Sequence, residues 1–370
     1  VKRLQSVEAL RGLAALAVLF YHVHDIVLSR TGFDPFWGAF GSGARGVDFF
    51  FVLSGFIIAS LYLAGDGRRY GAGSFLLRRA TRLLPALWIV SIPALLMYGI
   101  GFGGEEKAGK LDAWRIVASF ALLPQDMPPL VNVSWTLVYE AFFYLLFAVA
   151  FTAPRLCVAL IVLWQAAAIG VLISPLDPMK LPAGQYLHPR VVEFGIGLAC
   201  ALVVFRVAWA DLRAKAPLML AVGAVLFLGG MAWESVHGPL PLETHRLLVF
   251  GLGAALVVGG AVMREQDRGM RLPQPLIGLG TVSYSLYLVH FSAITLVIIT
   301  LQRLGIAIGD AMALIIGACG LGVAVAFHYA VDMPIQNWLR RAARRAPRAA
   351  GTLGAEVAPE LPGMSSPNRL

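Results

Sequence analysis

The stretch VEALRGLAALAVLFYHVHD, residues 7–25, decides how the chain is read, because it holds Arg11 and His22 apart by ten almost wholly apolar positions. In a helix the step from Arg11 to His22 makes about three turns and rises roughly 16 Å, so both side chains leave from one stripe. A charge placed centrally in a bilayer costs on the order of 2.5–3.5 kcal/mol. Two ionisable groups on one face therefore imply a bundle interior or a water-filled cavity on that side. The plainer alternative is that Arg11 snorkels to the headgroups and His22 is an interfacial histidine.

The rest of the chain extends this pattern. Its 370 residues are 58% hydrophobic and 14% charged, with a mean hydropathy of +0.75. That excludes an ordinary soluble protein and predicts an all-α, polytopic integral membrane bundle. Apolar runs at about 8–28, 46–64, 83–102, 134–152, 156–174, 190–206, 216–233, 245–263, 282–302 and 310–330 predict ten transmembrane helices. Basic residues concentrate in alternate connections: Arg68, Arg69, Arg78, Arg79 and Arg82 after the second run, and Arg264, Arg268 and Arg271 after the eighth. Fewer lie on the other side, among them Arg45, Lys107 and Lys110. The positive-inside bias thus places both termini in the cytoplasm. Arg11 near the start of the leading helix, with no clean small-residue cleavage site after it, argues against a signal peptide.

Residues 1–338 read as one ten-helix domain, and residues 339–370, rich in Arg, Ala, Pro and Gly, as a disordered cytoplasmic tail whose first turns anchor on the inner leaflet. The connection 103–133 contains LDAWRIVASFALLP, too short to span and read as an interfacial or re-entrant helix that roofs a cavity. Cys157, Cys200 and Cys319 lie far apart in apolar runs, which indicates neither a disulfide framework nor a metal site. The net charge of +9 sits beside spans, so it points to topology and anionic membrane lipid and not to nucleic acid.

Several polar residues fall inside or beside the spans. Asp48, in RGVDFFFVLSGF, starts its span at a depth comparable to His22 and is expected to hold a ring nitrogen, fixing the tautomer of a general base. Its alternative role is to cap its own helix start. Glu140, in NVSWTLVYEAFFYLLF, lies about two turns into its span and needs a partner or a proton, either Arg190 or the reaction centre. His290, in SYSLYLVHF, follows Tyr284 and Tyr287 on its helix and reads as a packing residue or as part of the chemistry. Arg79 and Arg82, in the connection FLLRRATRLLPALW, share a helix face and belong to the same inner surface as Arg11. They are either topology determinants or a site for a phosphate-bearing ligand, to which Arg is suited.

Taken together, Arg11 and His22, GVDFFFVLSGF (46–56), RRATRLLP (78–85), WTLVYE (135–140) and SYSLYLVH (283–290) resemble the membrane acyltransferase-3 family. RVVEFGIGL (190–198) and DMP (332–334) agree more weakly, the family more often having Glu before that proline. The resemblance implies transfer of an acyl group, commonly acetyl, from cytoplasmic acyl-CoA to a hydroxyl of a glycan, lipid-linked saccharide or related acceptor. It implies His22 as the central catalytic residue, assisted by Asp48 or Glu140, with the acyl-CoA held by Arg11, Arg79 and Arg82. The acceptor would meet Trp135, Tyr139 and His290. Such an enzyme would belong to a bacterial inner membrane and build the cell envelope, and it requires a continuous cavity from the arginines to His22. The competing reading is a proton-coupled transporter or flippase for a glycan or lipid intermediate, with His22, Glu140 and His290 as its proton relay.

Overall fold

The structure, a computed structural model, describes residues 4–63, 71–101, 109–126, 128–180, 184–207 and 210–345. The expectations for Arg68, Arg69 and Lys107, and for the tail beyond residue 345, lie outside the described residues. Among the described residues every regular element is helical. The helices that matter here are α1 (Gln5–Thr31), α2 (Gly46–Leu63), α3 (Ala72–Gly99), α4 (Ala113–Ala121), α5 (Trp135–Ala148), α6 (Pro154–Leu172), α7 (Val192–Leu202), α8 (Ala216–His237), α9 (Leu252–Arg268), α10 (Gln274–Arg303), α11 (Asp310–Phe327) and α12 (Met333–Arg345).

Nine helices among the described residues are long and apolar enough to cross a membrane, α11 and α12 counting as one span from Asp310 to Ala342. The protein is a multi-pass membrane bundle. The run expected to span at 190–206 is instead a 3-10 turn, the eleven-residue α7 and a wider π turn over Val203–Val207. It is not among those nine, but its turns are continuous over 189–207, and it lies against α2, where a Cβ on Gly197 would come within 2.9 Å of the Val52 carbonyl carbon.

Local sequence explains the boundaries that position the site. α1 runs until Gly32, which takes a left-handed conformation (φ 72°) and returns its N–H to Leu28 O at 2.9 Å. α3 begins earlier than its apolar run: Leu76, Leu77, Arg78, Arg79 and Ala80 are good helix formers, so the arginines expected on a connection stand on the first turns of the helix. Pro85 and Pro93 lie inside α3 without ending it. α4 is capped by Asp112, whose carboxylate accepts the Arg115 N–H at 3.1 Å. It packs beside α3, where Trp88 Nε1 donates to Phe120 O at 2.9 Å. The first residues of the expected tail, 339–345, continue α12 as a helix.

The core lies between α1, α2, α5, α7, α10 and α11, around Leu19, Phe56, Phe143, Phe194 and Leu286, all fully buried. Val158 and Leu163 on α6, with Val225 and Leu228 on α8, are at least 60% exposed, which in a membrane bundle makes them lipid-facing. The tightest crossing is between α1 and α10. A Cβ on Gly280 would lie 2.5 Å from the Glu8 carbonyl carbon, and one on Gly12 would lie 2.7 Å from the Gly280 nitrogen. Only glycine allows the two backbones to approach so closely.

Candidate active site

The glycine contact sets the register of everything polar on α1. Gly12 faces Gly280 and His22 faces His290 at the same offset of 268 residues, so the two helices run parallel and in step. Arg11, next to the glycine contact, reaches across and donates from Nη2 to Ser283 Oγ at 2.8 Å. Its other neighbour is Glu8, at 3.7 Å. One helix face thus presents an anchored guanidinium and, three turns on, an anchored imidazole.

Around Arg11 lies a cavity of about 760 Å³, counting the open space at its mouth, walled by α1, α2, α3, α5 and α10. Arg11, Arg79, Arg82, Glu140, Ser54 and Tyr144 form its polar part. Arg79 is stacked on Phe75 and Tyr144, with ring centroids 5.4 and 5.5 Å away, and its buried Nε has no hydrogen-bond partner. Of the three guanidiniums only Arg11 has a carboxylate within 4.0 Å among the described residues. Glu140 accepts from Ser54 Oγ at 3.2 Å and from the Tyr144 hydroxyl. The cavity walls therefore carry more positive than negative charge, and an orphaned buried Nε is a donor awaiting an acceptor. That donor set fits a phosphate or another anion.

At the far end the cavity meets Val47, Phe50, Thr136 and Tyr287. The Tyr287 hydroxyl donates to Val133 O at 2.5 Å and meets Thr136 Oγ1 at 2.7 Å. Its ring centroid lies 6.1 Å from that of His290 and 6.0 Å from that of Phe50. His22 is not among the cavity's lining residues, so the continuous passage expected from the sequence is closed by this layer of rings.

The two histidines determine each other's protons. His290 is fully buried, and its Nδ1 lies 2.8 Å from Leu286 O, which can only accept, so Nδ1 carries the hydrogen. Its Nε2 is then an acceptor, 3.0 Å from His22 Nδ1. His22 Nδ1 must donate, shared between His290 and Val18 O at 3.0 Å. By this chain the lone pair of His22 is on Nε2. The tautomer is assigned from these partners.

Asp48, expected to orient His22, does something else. It is buried and bound by Arg45 Nη1 at 3.3 Å, with Arg190 Nε 4.0 Å away. Arg45 in turn donates from Nε to Glu234 at 2.6 Å. A buried carboxylate binds the nearest guanidinium, and here that residue stands one helical turn before it. Glu140, the other expected assistant, belongs to the arginine cavity, and among the described residues no hydrogen bond joins it to His22, His290 or Arg190. Of the three residues expected in a transporter's proton relay, His22 and His290 are joined and Glu140 stands in the arginine cavity. Residues 113–121 line no part of the cavity, so the expected roof lies elsewhere.

Trp135 and Tyr139 face away from the cavity. Arg190 lies over the Trp135 ring at 5.6 Å, and Tyr139 packs edge-on against Trp135 and Phe51. Beside them, burial and then Arg190 push the His188 imidazole down to about 4, so the ring is neutral and its Nδ1 accepts the Arg190 N–H at 3.2 Å. His290, expected at the acceptor with these two, instead touches His22.

Sequence reasoning missed Ser283, Tyr144 and Arg45 as partners. Tyr144 and Arg45 carry a signal, standing four and three residues from Glu140 and Asp48. Ser283 has none without knowing which helix faces α1.

A family model described as an acyltransferase domain matches residues 4–331. The chain is 32% identical over 291 residues to the exopolysaccharide production protein ExoZ of Rhizobium meliloti, covering 73% of this chain and 81% of that protein. It is 28% identical over 324 residues to the peptidoglycan O-acetyltransferase OatA of Listeria monocytogenes, 80% of this chain but only half of the relative's length. It is 25% identical over 320 residues to the acyltransferase MdmB of Streptomyces mycarofaciens, covering 80% of each. No solved structure matches.

Proposed function

Because the chain belongs to the acyltransferase domain family, we propose that it transfers an acetyl group from cytoplasmic acetyl-CoA to a hydroxyl of a cell-envelope glycan or lipid-linked saccharide, within a bacterial inner membrane. The observation that carries this reading is the parallel register of α1 and α10. It sets an anion-binding cavity and an oriented imidazole on one helix face, roughly 16 Å apart by helical rise.

The Arg11 end of the bundle is the cytoplasmic end in this reading, with both termini on that side. Arg79, Arg82 and Arg11 bind the phosphates of the donor, and Arg79 Nε gains the acceptor it lacks. The pantetheine arm runs along the apolar wall of Phe50, Phe51 and Leu137 towards Tyr287. Rotation of the half-buried Phe50 ring opens the last layer to His22. The acceptor reaches His22 from the other leaflet, past Trp135 and Arg190.

His22 Nε2 takes the acceptor hydroxyl's proton as the oxygen attacks the thioester carbonyl. The tetrahedral intermediate then collapses, breaking the C–S bond, and the same nitrogen returns the proton to the departing thiolate. Direct attack by Nε2, with an acyl-imidazole intermediate, uses the same lone pair and the same tautomer. Acetyl-enzyme trapped after acid quench in the absence of acceptor would mark the second route.

The test is transfer of radiolabelled acetyl from acetyl-CoA to an oligosaccharide acceptor by the purified protein in nanodiscs. The native protein should transfer, and His22→Ala should not. Normal transfer by His22→Ala removes the catalytic assignment. Undetectable acetyl-CoA binding alongside measurable flux of a glycan would make the protein a transporter.

A further inference from the structure

Pro85 leaves a gap in α3 at the turn that carries the arginines. A proline has no N–H, so the carbonyl four residues earlier loses its helical donor. That carbonyl is Thr81 O, between Arg79 and Arg82. A side chain from α12 fills the gap: Gln336 Nε2 lies 2.9 Å from Thr81 O and 3.3 Å from Arg82 O. The third neighbour of the same nitrogen is Asp332 Oδ1, at 3.5 Å. All three partners are acceptors, so the amide can only present its nitrogen to them.

Gln336 is itself held. Asp332 accepts from Ser285 Oγ at 3.1 Å and lies 3.2 Å from His328 Nδ1, which ties the π turn His328–Asp332 to α10. Pro334 explains why the helix widens there before α12 begins, since it withholds an N–H from the turn before it. On the other side of α3, the Tyr284 hydroxyl donates to Leu83 O at 2.6 Å. The arginine-bearing turn is thus gripped from α10 and α12 at consecutive carbonyls.

We propose that Gln336 is a positioning residue, whose amide supplies the hydrogen bond Pro85 cannot make and so fixes Arg79 and Arg82 in their cavity. This rests on the assignment of those arginines to the acyl-CoA donor. Gln336 touches neither donor nor acceptor, and it acts through the backbone of α3.

The test is a cycle in the full-length protein between Gln336→Leu and Pro85→Ala, since an alanine at 85 returns an N–H to Thr81 O and makes Gln336 unnecessary. Two quantities are read: hydrogen exchange of the α3 amides around residues 75–90, and KM against kcat for acetyl-CoA. Gln336→Leu should speed exchange there and raise KM about tenfold, the worth of one hydrogen bond, with little change in kcat. Pro85→Ala with Gln336→Leu should restore both. Gln336→Met keeps the length of the side chain, has no donor and should behave as Gln336→Leu, which covers failure of the leucine variant to fold. Exchange and KM unchanged by Gln336→Leu and Gln336→Met, or no restoration by Pro85→Ala, overturns the clamp. Exchange that follows the cycle while KM stays flat overturns instead the donor role of Arg79 and Arg82, and with it the purpose of the clamp.

Discussion

Adding one methyl group at Gly280 tests whether the register of α1 and α10 makes the site. In Gly280→Ala the new carbon would lie 2.5 Å from the Glu8 carbonyl carbon, with the Glu8 oxygen closer still. Carbon atoms pack at about 3.5 Å or more, so the helices must part by about 1 Å. Both partners in the clash are backbone, so no side chain can swing aside. His22 Nδ1 and His290 Nε2, now 3.0 Å apart, would separate to about 4 Å, beyond hydrogen-bonding range. Overpacking of this kind costs about 1–3 kcal/mol of stability, and a misplacement of about 1 Å at a reacting group costs about a hundredfold in rate. The assay is acetyl transfer by purified protein, with thermal unfolding in the same detergent. Gly278→Ala is the control, since a Cβ there meets nothing within 4 Å; it should keep full activity and stability. A folded Gly280→Ala protein with native transfer would show that the close crossing does not set the site.

Replacing both Arg79 and Arg82 by alanine should weaken acetyl-CoA binding by about a hundredfold, each charge-assisted contact being worth about 1.5–3 kcal/mol before losses to solvent. Calorimetry at low and moderate salt reads this, and unchanged affinity would leave both residues as topology determinants. His290→Ala should lower kcat about tenfold for one lost hydrogen bond to His22, while His290→Gln, which keeps an acceptor, should recover part of it; native kcat in His290→Ala removes the orienting role. For His188, with a folded value of about 4 against about 6.5 unfolded, the unfolded chain binds the extra proton between these values. Its contribution to stability is therefore complete above about pH 6.5 and lost as pH falls towards 4. The melting temperature of His188→Gln should fall less than that of the native protein over this window, and equal falls would refute the buried neutral ring.

The sequence made the membrane bundle legible because apolar runs of spanning length leave few alternatives, and the Arg11–His22 stripe is legible because helical spacing puts both on one face. What that stripe faces is a tertiary matter. Nothing local distinguishes His290 from Asp48 as the partner of His22, and Asp48 is the more obvious chemistry until Arg45, one turn away, is seen to bind it. Glu140 is equally open in the sequence, to Arg190 or to the reaction centre, and it meets neither, joining Ser54 and Tyr144 in the arginine cavity; the choice depends on how α5 is rotated, which its aromatic residues on nearly every face do not reveal. The arginines of α3 were read onto a connection because hydropathy marks where a span is apolar, not where its helix begins. α7 is irregular at both ends, a 3-10 turn before it and a π turn after it, which an apolar run does not reveal.

The closed layer between the arginine cavity and His22 sharpens the chemical argument. A thioester beside a general base and free water would hydrolyse, so a wet channel joining the two ends would discard the donor. Tyr287 is fastened at its hydroxyl to Val133 O and Thr136, whereas Phe50 is half-buried and held only by packing. Of the two rings at this layer, Tyr287 is therefore tied by its hydroxyl and Phe50 is the one held by side-chain packing. On the proposed function, an acyl-CoA held in the charged cavity would bring its apolar arm against Phe50, and that arm would replace the ring's packing as it turned. Access to His22 would then be coupled to the presence of the acyl chain, and the imidazole would meet the thioester in a site from which the arm itself excludes water.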